Sequence, residues 1–342
     1  MSIPALLDEL LRAPGPPGSE GAVAEIVRRE TSAFADVEGD VLGSTIARVR
    51  GTAGGRTLAL FAHVDQVGMI VTHVEERGLL RVAPLGTWSA ATAVGQRVRI
   101  LTRSGELAAV VAREGKGQDV QWAEILLDVG ATDGDHARAL VRPGDSAVMG
   151  GDPLALVGGR IAATGLDDRA GIFAVVEALR RLAADPPPWD VVMVASTQEE
   201  TGTHGGAMTA AHRIRPDVAI AVEVTYAADE PGRDPGEWGH TWLGAGAAVF
   251  RSPVCHPAVS DGLIGAAERD GIPIVVEAGQ SSWSDSDDVF VAADGIPTGL
   301  VSIPLRYMHS SVEVVQLADL EAVSRLLEAY ARLLTIDASF VR

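Results

Sequence analysis

Four short apolar runs constrain this chain more than any other feature: "TLALFAH" (57–63), "DVVMVAS" (190–196), "VAIAVEV" (218–224) and "TGLVSIP" (298–304). Each is continuous and partly β-branched, the pattern of a strand covered on both faces rather than wetted on alternate sides. Helical patterns lie between them. In 170–185, Ile172, Val176, Leu179 and Leu182 recur at helical spacing, and in 317–334, Leu320, Val323, Leu327 and Leu334 form an inner stripe. Strands alternating with helices predict an α/β domain: a mostly parallel sheet with helices on both faces.

Residues 69–159 break that rhythm. Short alternating strands, "LLRVAPLG" and "QRVRILTRSGELAAVVARE", replace the helices, and the second folds back at Ser104-Gly105 as a hairpin turn would. One short helix is expected in "DGDHARAL" (133–140). This segment reads as a β-rich domain inserted into the first, dividing the chain into 1–68, 69–159 and 160–342. With 342 residues, 47% of them hydrophobic, the chain is large enough for two cores.

Polar residues gather where the strands end. The first run leads into His63 and Asp65, the second into Glu199 and Glu200, the third carries Glu223, and the fourth continues to His309. Before the helix at 170 stand Asp167 and Asp168. Ligands of open parallel sheets bind outside the carboxyl ends of the strands. Taken singly, each of these residues is a turn former, a helix cap or a solvated carboxylate. Together they place two histidines and several carboxylates at one edge, and no set of caps requires histidine, so a metal site is the better reading.

The donors are nitrogen and carboxylate oxygen, a set that suits zinc, cobalt or manganese. Cys255 is the only cysteine, which excludes a thiolate site and an intrachain disulfide. Five ligands exceed the need of one tetrahedral ion, so two divalent ions sharing a carboxylate fit better. Asp65, two residues after His63 on a strand, faces the same side and is expected to accept the second imidazole N–H. Two adjacent glutamates then divide the labour. One holds a metal, and the other takes a proton from the attacking water and returns it to the leaving amine. His63 and Asp167 must also meet across about a hundred residues, which requires the intervening segment to fold by itself.

Charge narrows the partners. A formal net charge of −18, with Lys116 the sole lysine, repels nucleic acid and anionic membrane surfaces and attracts metal cations. There is no leader-like pattern at residues 1–20 and no apolar run of about 18 residues, so a cytoplasmic location is expected.

The ordered blocks "APGPPGSE", "AHVDQVGMIVTHVEERGLLRVAPLG", "GQRVRI", "GLDDRAG", "TQEETG", "VEVTYAADEPG" and "GIPTGLVSIPLRYMHSSVEVV" resemble the M42 metallo-aminopeptidases, the tetrahedral and glutamyl aminopeptidase group, through most of the chain. The resemblance implies that Asp167 bridges two metals, that His63 and Glu223 complete one site, and that Glu200 and His309 complete the other. It makes Glu199 the catalytic base. It also implies an inserted β-barrel-like dimerisation domain, peptide substrates, and homo-oligomers up to a tetrahedral dodecamer.

Three departures stand out. Glu223 replaces the family's aspartate, Gln66 replaces the glutamate of "HxDE", and the insert is short between "VVARE" and "ILLDVG". Glutamate at the terminal ligand is found in carboxypeptidases and deacylases of the wider clan, which keeps a carboxypeptidase-like or N-acyl amino acid deacylase as the alternative. A glycosidase would use a carboxylate pair without metal, and a silent scaffold would not keep a complete ligand set. His204 is read as a solvent-facing loop histidine rather than a substrate contact. Asp285 matches a family position near the site, and His73, His136, His212, His240 and His256 are read as structural.

Overall fold

The computed structural model describes residues 2–202, 205–234, 236 and 239–341; His204 lies outside them. The strands open with β1 (Asp36–Gly39), β2 (Thr45–Val49) and β3 (Thr57–His63). Next come β4 (Gly68–Val74), β5 (Leu79–Leu85), β6 (Arg97–Thr102), β7 (Gly105–Arg113), β8 (Ile125–Asp128) and β9 (Ser146–Met149). The chain returns through β10 (Leu154–Ala155), β11 (Arg160–Ala163), β12 (Asp190–Ser196) and β13 (Val218–Tyr226). It finishes with β14 (Ala247–Arg251), β15 (Ile274–Ala278), β16 (Thr298–Arg306) and β17 (Glu313–Gln316).

One mixed sheet runs in the order β1-β2-β12-β3-β13-β16-β17-β11-β10, with β14 joined to β16 and β15 to β14. Its centre, β12-β3-β13-β16, is parallel throughout and consists of the four apolar runs read from the sequence. Antiparallel strands flank that centre on both sides. Both faces are covered. Leu58, Leu60 and Ala62 of β3 pack with the helices Ala5–Arg12, Gly21–Thr31, Leu166–Ala184, Pro257–Asp270 and Leu317–Leu333. Ala59 and Phe61 point the other way, into a cluster with Gly206–Ile214 and Asp285–Val289. Alternate residues of one strand therefore supply two cores, which is why the run is apolar without a break.

Strands β4-β5-β8-β7-β6-β9 close into a barrel with its own core of Met69, Leu80, Ile100, Val111 and Leu127. Closure removes the unpaired edges that an open antiparallel insert would expose. The β6–β7 hairpin is displaced by one residue from the expected position. Thr102 pairs with Gly105, so Arg103 and Ser104 form the tip. The short helix is Gly134–Leu140, capped by the Asp133 carboxylate. Among the described residues no helix is long and apolar enough to cross a membrane.

The start of the helix Leu166–Ala184 sets where the polar edge of the sheet forms. Gly165 precedes it with φ 72°, and a Cβ there would come within 3.2 Å of the Gln66 carboxamide. Asp167 and Asp168 have non-helical backbones, so regular helix begins only after them. The Leu60 side chain, wholly buried below the site on β3, ties this helix layer to the central strands. Leu60→Ala should lower stability by about 2–5 kcal/mol, read as a shift in the denaturant midpoint; a shift within error would contradict this packing.

Candidate metal centre

The carboxyl ends of β3, β12 and β13 stand side by side, with Ser196 paired to His63 and Ala221 to Phe61. Glu223, two residues beyond Ala221, therefore lies level with His63. The loop after β16 and the start of the Leu166–Ala184 helix close over this edge. The five residues read as ligands, His63, Asp167, Glu200, Glu223 and His309, come together here.

Asp167 sits between the two histidines. Its Oδ1 lies 3.0 Å from His63 Nε2 and its Oδ2 lies 3.1 Å from His309 Nε2. Glu223 Oε1 is 3.5 Å from His63 Nε2, and Glu200 Oε2 is 3.3 Å from His309 Nε2. Glu199 stands farther off, its Oε2 4.0 Å from His63 Nε2. One carboxylate group thus faces each imidazole, and Asp167 faces both.

Both rings are held by backbone carbonyls. His63 Nδ1 donates to the Asp65 carbonyl at 3.1 Å, and His309 Nδ1 donates to the Thr87 carbonyl at 2.7 Å. A carbonyl can only accept, so each Nδ1 carries hydrogen and each Nε2 is aimed at the centre, where it donates to Asp167 while protonated and can ligate a cation once it gives up that proton. The expected role of Asp65 is modified in its detail. Its carboxylate Oδ1 lies 3.4 Å from His63 Nδ1, but its hydrogen bonds go to the backbone N–H groups of Glu199 and Glu200, each at 3.1 Å. Asp65 thereby fixes the turn that presents the glutamate pair.

Two positioning groups, Glu313 and Glu20, escaped the sequence reading. Glu313 is 1% exposed and accepts from the N–H of His309 at 2.9 Å and of Asp167 at 3.3 Å. That bond holds His309 at φ 59°, a left-handed conformation rare outside glycine. Glu313 lies in "SVEVV", and Glu223 in "AVEVT". A carboxylate inside an apolar run was a usable signal in both. Glu20 accepts the Gly18 N–H at 2.7 Å and also takes the N–H of Gln198, just before the glutamate pair. Asp285 binds the Ser196 hydroxyl beside β3. Asp168 accepts the Gly171 N–H at 3.1 Å, the helix cap that its position suggested. Elsewhere His256 caps the Pro257–Asp270 helix and His212 donates to the Met208 carbonyl.

The insert reaches the centre through residues 86–88. Thr87 orients His309, and Trp88 Nε1 anchors the segment by donating to the Gly68 carbonyl at 3.0 Å. Gly86 has φ 85°, and a Cβ there would meet Val67 at 2.8 Å and Glu200 Oε2 at 3.5 Å.

The electrostatics call for cations. Burial pushes the carboxyls of Glu199 and Glu200 well above their usual range and raises that of Glu223, with neighbouring carboxylates adding to each. Burial opposes protonation of the histidines, yet Glu223, Asp167 and Asp65 hold His63 well above its usual value. Asp167 and Glu200 carry His309 to about 11. Asp167 is the exception among the acids. Burial raises it, but the hydrogen bonds to His309 and His63 prevail and lower it. Glu200 Oε1 and Asp168 Oδ2 are buried acceptors without a donor among the described residues. His63, Asp167 and Glu200 offer ligand atoms within 4.8 Å of one another, and so do His63, Asp168 and Glu223. Hard oxygen and imidazole donors with unfilled lone pairs fit divalent metal ions.

A buried nest of imidazoles and carboxylates outside the ends of a parallel sheet has the composition and place of a candidate metal centre in a hydrolase. The M42 glutamyl aminopeptidase model matches residues 43–326. The lysyl aminopeptidase of Pyrococcus furiosus is 32% identical, over 95% of this chain and 95% of its own. Aminopeptidase APDkam598 from Desulfurococcus kamchatkensis superposes with a TM-score of 0.92 at 32% identity, covering 98% of each chain. The TET1 peptidase of Pyrococcus horikoshii, which can assemble into a tetrahedron or a large octahedral shell, does so with 0.86 at 29% identity, over 96% of this chain and 99% of its own. The chain belongs to the M42 glutamyl aminopeptidase family. It is an aminopeptidase, a peptide-bond hydrolase.

Two outcomes follow from this geometry. Burial raises Glu20 and Asp285 to about 7 and Glu313 to about 8. Their native states hold protons that the unfolded chain releases near pH 4. Their stabilising contribution is therefore complete below that pH and is lost as pH rises through 7 to 8. The metal-free protein should melt at a lower temperature at pH 8.5 than at pH 5.5, and divalent ions should reduce the difference; a melting temperature that rises with pH would sink this assignment. Glu313→Gln keeps size but confronts one backbone N–H with an amide donor. It should weaken metal affinity by about 10–100-fold, measured by titration calorimetry on the folded variant, and unchanged affinity would refute the positioning role.

Proposed function

We propose that the enzyme removes N-terminal amino acids from peptides with two divalent metal ions per subunit, zinc first, with cobalt or manganese as alternatives. His63, Asp167 and Glu223 would hold one ion, and Asp167, Glu200 and His309 the other. The observation that carries this reading is Asp167, whose two oxygens face two different imidazoles at 3.0 and 3.1 Å. When bound, such a pair polarises the scissile carbonyl and lowers the pKa of water to about 7.

Glu199 is the general base. It belongs to the same buried pocket, yet it stands farther from His63 Nε2 than Asp167 or Glu223. Its raised proton affinity suits a group that takes a proton from the attacking water and passes it to the leaving amine. Asp65 holds the backbone of both glutamates, so the base and the ligand Glu200 keep their division of roles. Glu223, one methylene longer than the family's aspartate, folds back so that Oε1 also accepts the Val224 N–H at 3.0 Å. This difference is the reason to test N-acylated amino acids beside free-amine substrates.

The division into a catalytic domain (1–68 and 160–342) and an inserted module (69–159) is part of the proposal. So is self-association through that module into a homo-oligomer, a dimer or a tetrahedral dodecamer, which the assembly of the Pyrococcus horikoshii relative supports.

Glu199→Gln should retain both metals by elemental analysis and lose about 10²–10⁴-fold in turnover of amino-acid p-nitroanilides. Chelation should abolish turnover, and re-addition of metal should restore it in the parent. Parental rates in the variant would remove Glu199 from the mechanism, and turnover of N-blocked substrates alone would favour the deacylase.

A further inference from the structure

The outer wall of the inserted barrel carries a row of three residues that the metal centre does not use. Arg97 on β6 pairs with Val110 on β7, and Val110 pairs with Asp128 on β8. Residues directly opposite one another on neighbouring strands point to one face. Their chain neighbours Val98, Ala109, Val111 and Leu127 turn into the barrel core, so the row faces outward, and Val110 is 50% exposed. Across three strands the row therefore reads cation, apolar, anion.

All three line an open cavity of about 830 Å³, which the end of the helix Ala5–Arg12 and the linker 150–152 complete. That volume lies within the roughly 300–1,000 Å³ of small-ligand pockets. None of the five residues read as metal ligands lines it. Gly151 keeps part of the space open, since a Cβ there would meet nothing within 4 Å. Most charges of the cavity are matched within its own walls. Arg12 pairs with Asp8 and Asp152, and Arg99 pairs with Glu106 while donating to the Arg12 carbonyl at 2.9 Å. Among the described residues, Arg97 is left without an acidic partner, and Asp128, whose carboxylate accepts the Gly130 N–H at 2.7 Å, without a basic one. One cation and one anion remain, on either side of an exposed valine.

We propose that this cavity binds a short peptide with both ends free, its carboxylate at Arg97, its ammonium at Asp128 and an apolar side chain on Val110. Two strand spacings, about 10 Å, separate Arg97 from Asp128. An extended tripeptide spans about 10 Å, and a free amino acid only about a third of that. A guanidinium holds a carboxylate through paired N–H donors, and a carboxylate accepts from an ammonium, so a ligand with one charged end satisfies only half of the row. Short peptides with free ends are what an aminopeptidase leaves as it shortens its substrates. The cavity thus takes a product of this enzyme at a place apart from the metal centre.

The test is titration calorimetry of the metal-loaded protein with alanyl-leucyl-alanine, N-methylated at its first peptide nitrogen to block turnover of that bond. Binding is read without catalysis, so the result does not depend on the roles given to Glu199 or the metals. Arg97→Gln and Asp128→Asn should each weaken binding about tenfold or more. Amidating the peptide's carboxyl end should cost the parent as much and cost Arg97→Gln nothing further. Acetylating its amino end should do the same with Asp128→Asn, a coupling that binding at the metal centre would not produce. If the parent fails to bind the peptide, or both variants bind it within about twofold of the parent, the inference falls. It falls also if the variants lose self-association in sedimentation while peptide binding is unchanged, since the row then belongs to a contact between two copies.

Discussion

Asp167 held between two imidazoles is the interaction on which the rest of the site depends. Its two oxygens can face two imidazoles only if both rings turn Nε2 inward, and the carbonyls of Asp65 and Thr87 impose that orientation by engaging each Nδ1. Around this pair stand more buried carboxylates than the histidines can neutralise. Burial drives their proton affinities up, and two acceptor oxygens lack donors among the described residues. Such crowding is unfavourable in a protein without cations and favourable with them. The neighbouring groups share the task of keeping it in place: Asp65 grips the glutamate turn, Glu313 grips His309 and Asp167, and Glu20 braces Gln198.

The inserted barrel is tied to this chemistry through one short segment. Its core is separate from that of the α/β domain. Yet the exit from β5 brings Gly86 against Glu200 and the Thr87 carbonyl to His309. A change in how the barrel sits would therefore be felt at one imidazole. Closure of the barrel and anchoring by Trp88 both limit that movement.

Much of the catalytic edge was legible in the sequence because parallel strands covered on both faces must be apolar throughout, so any polar residue at their ends is conspicuous. His63, Glu199, Glu200 and His309 were visible for that reason, and Glu223 stood out inside an apolar run. Glu313 followed the same pattern but was overlooked, since its partners are backbone N–H groups and leave no trace in residue type. Asp65 was recognised beside His63, but its main hydrogen bonds lie with the glutamate turn, 134 and 135 positions away. Asp168 was read as a cap and caps the helix, while its free oxygen also lies in the ligand nest.

The sequence by itself determined the α/β architecture, the four central strands and the residue types at their ends, because periodicity and apolar continuity are local properties of the chain. The closed barrel was visible there only as alternating strands set apart from the helices. Which carboxylate oxygen faces which imidazole, which carbonyl locks each ring, and which glutamate stands back from the histidines were decided by tertiary structure alone. Those relations join residues from separate strands, the insert and the loop after β16, and their distances exist only once the sheet has twisted and both cores have packed.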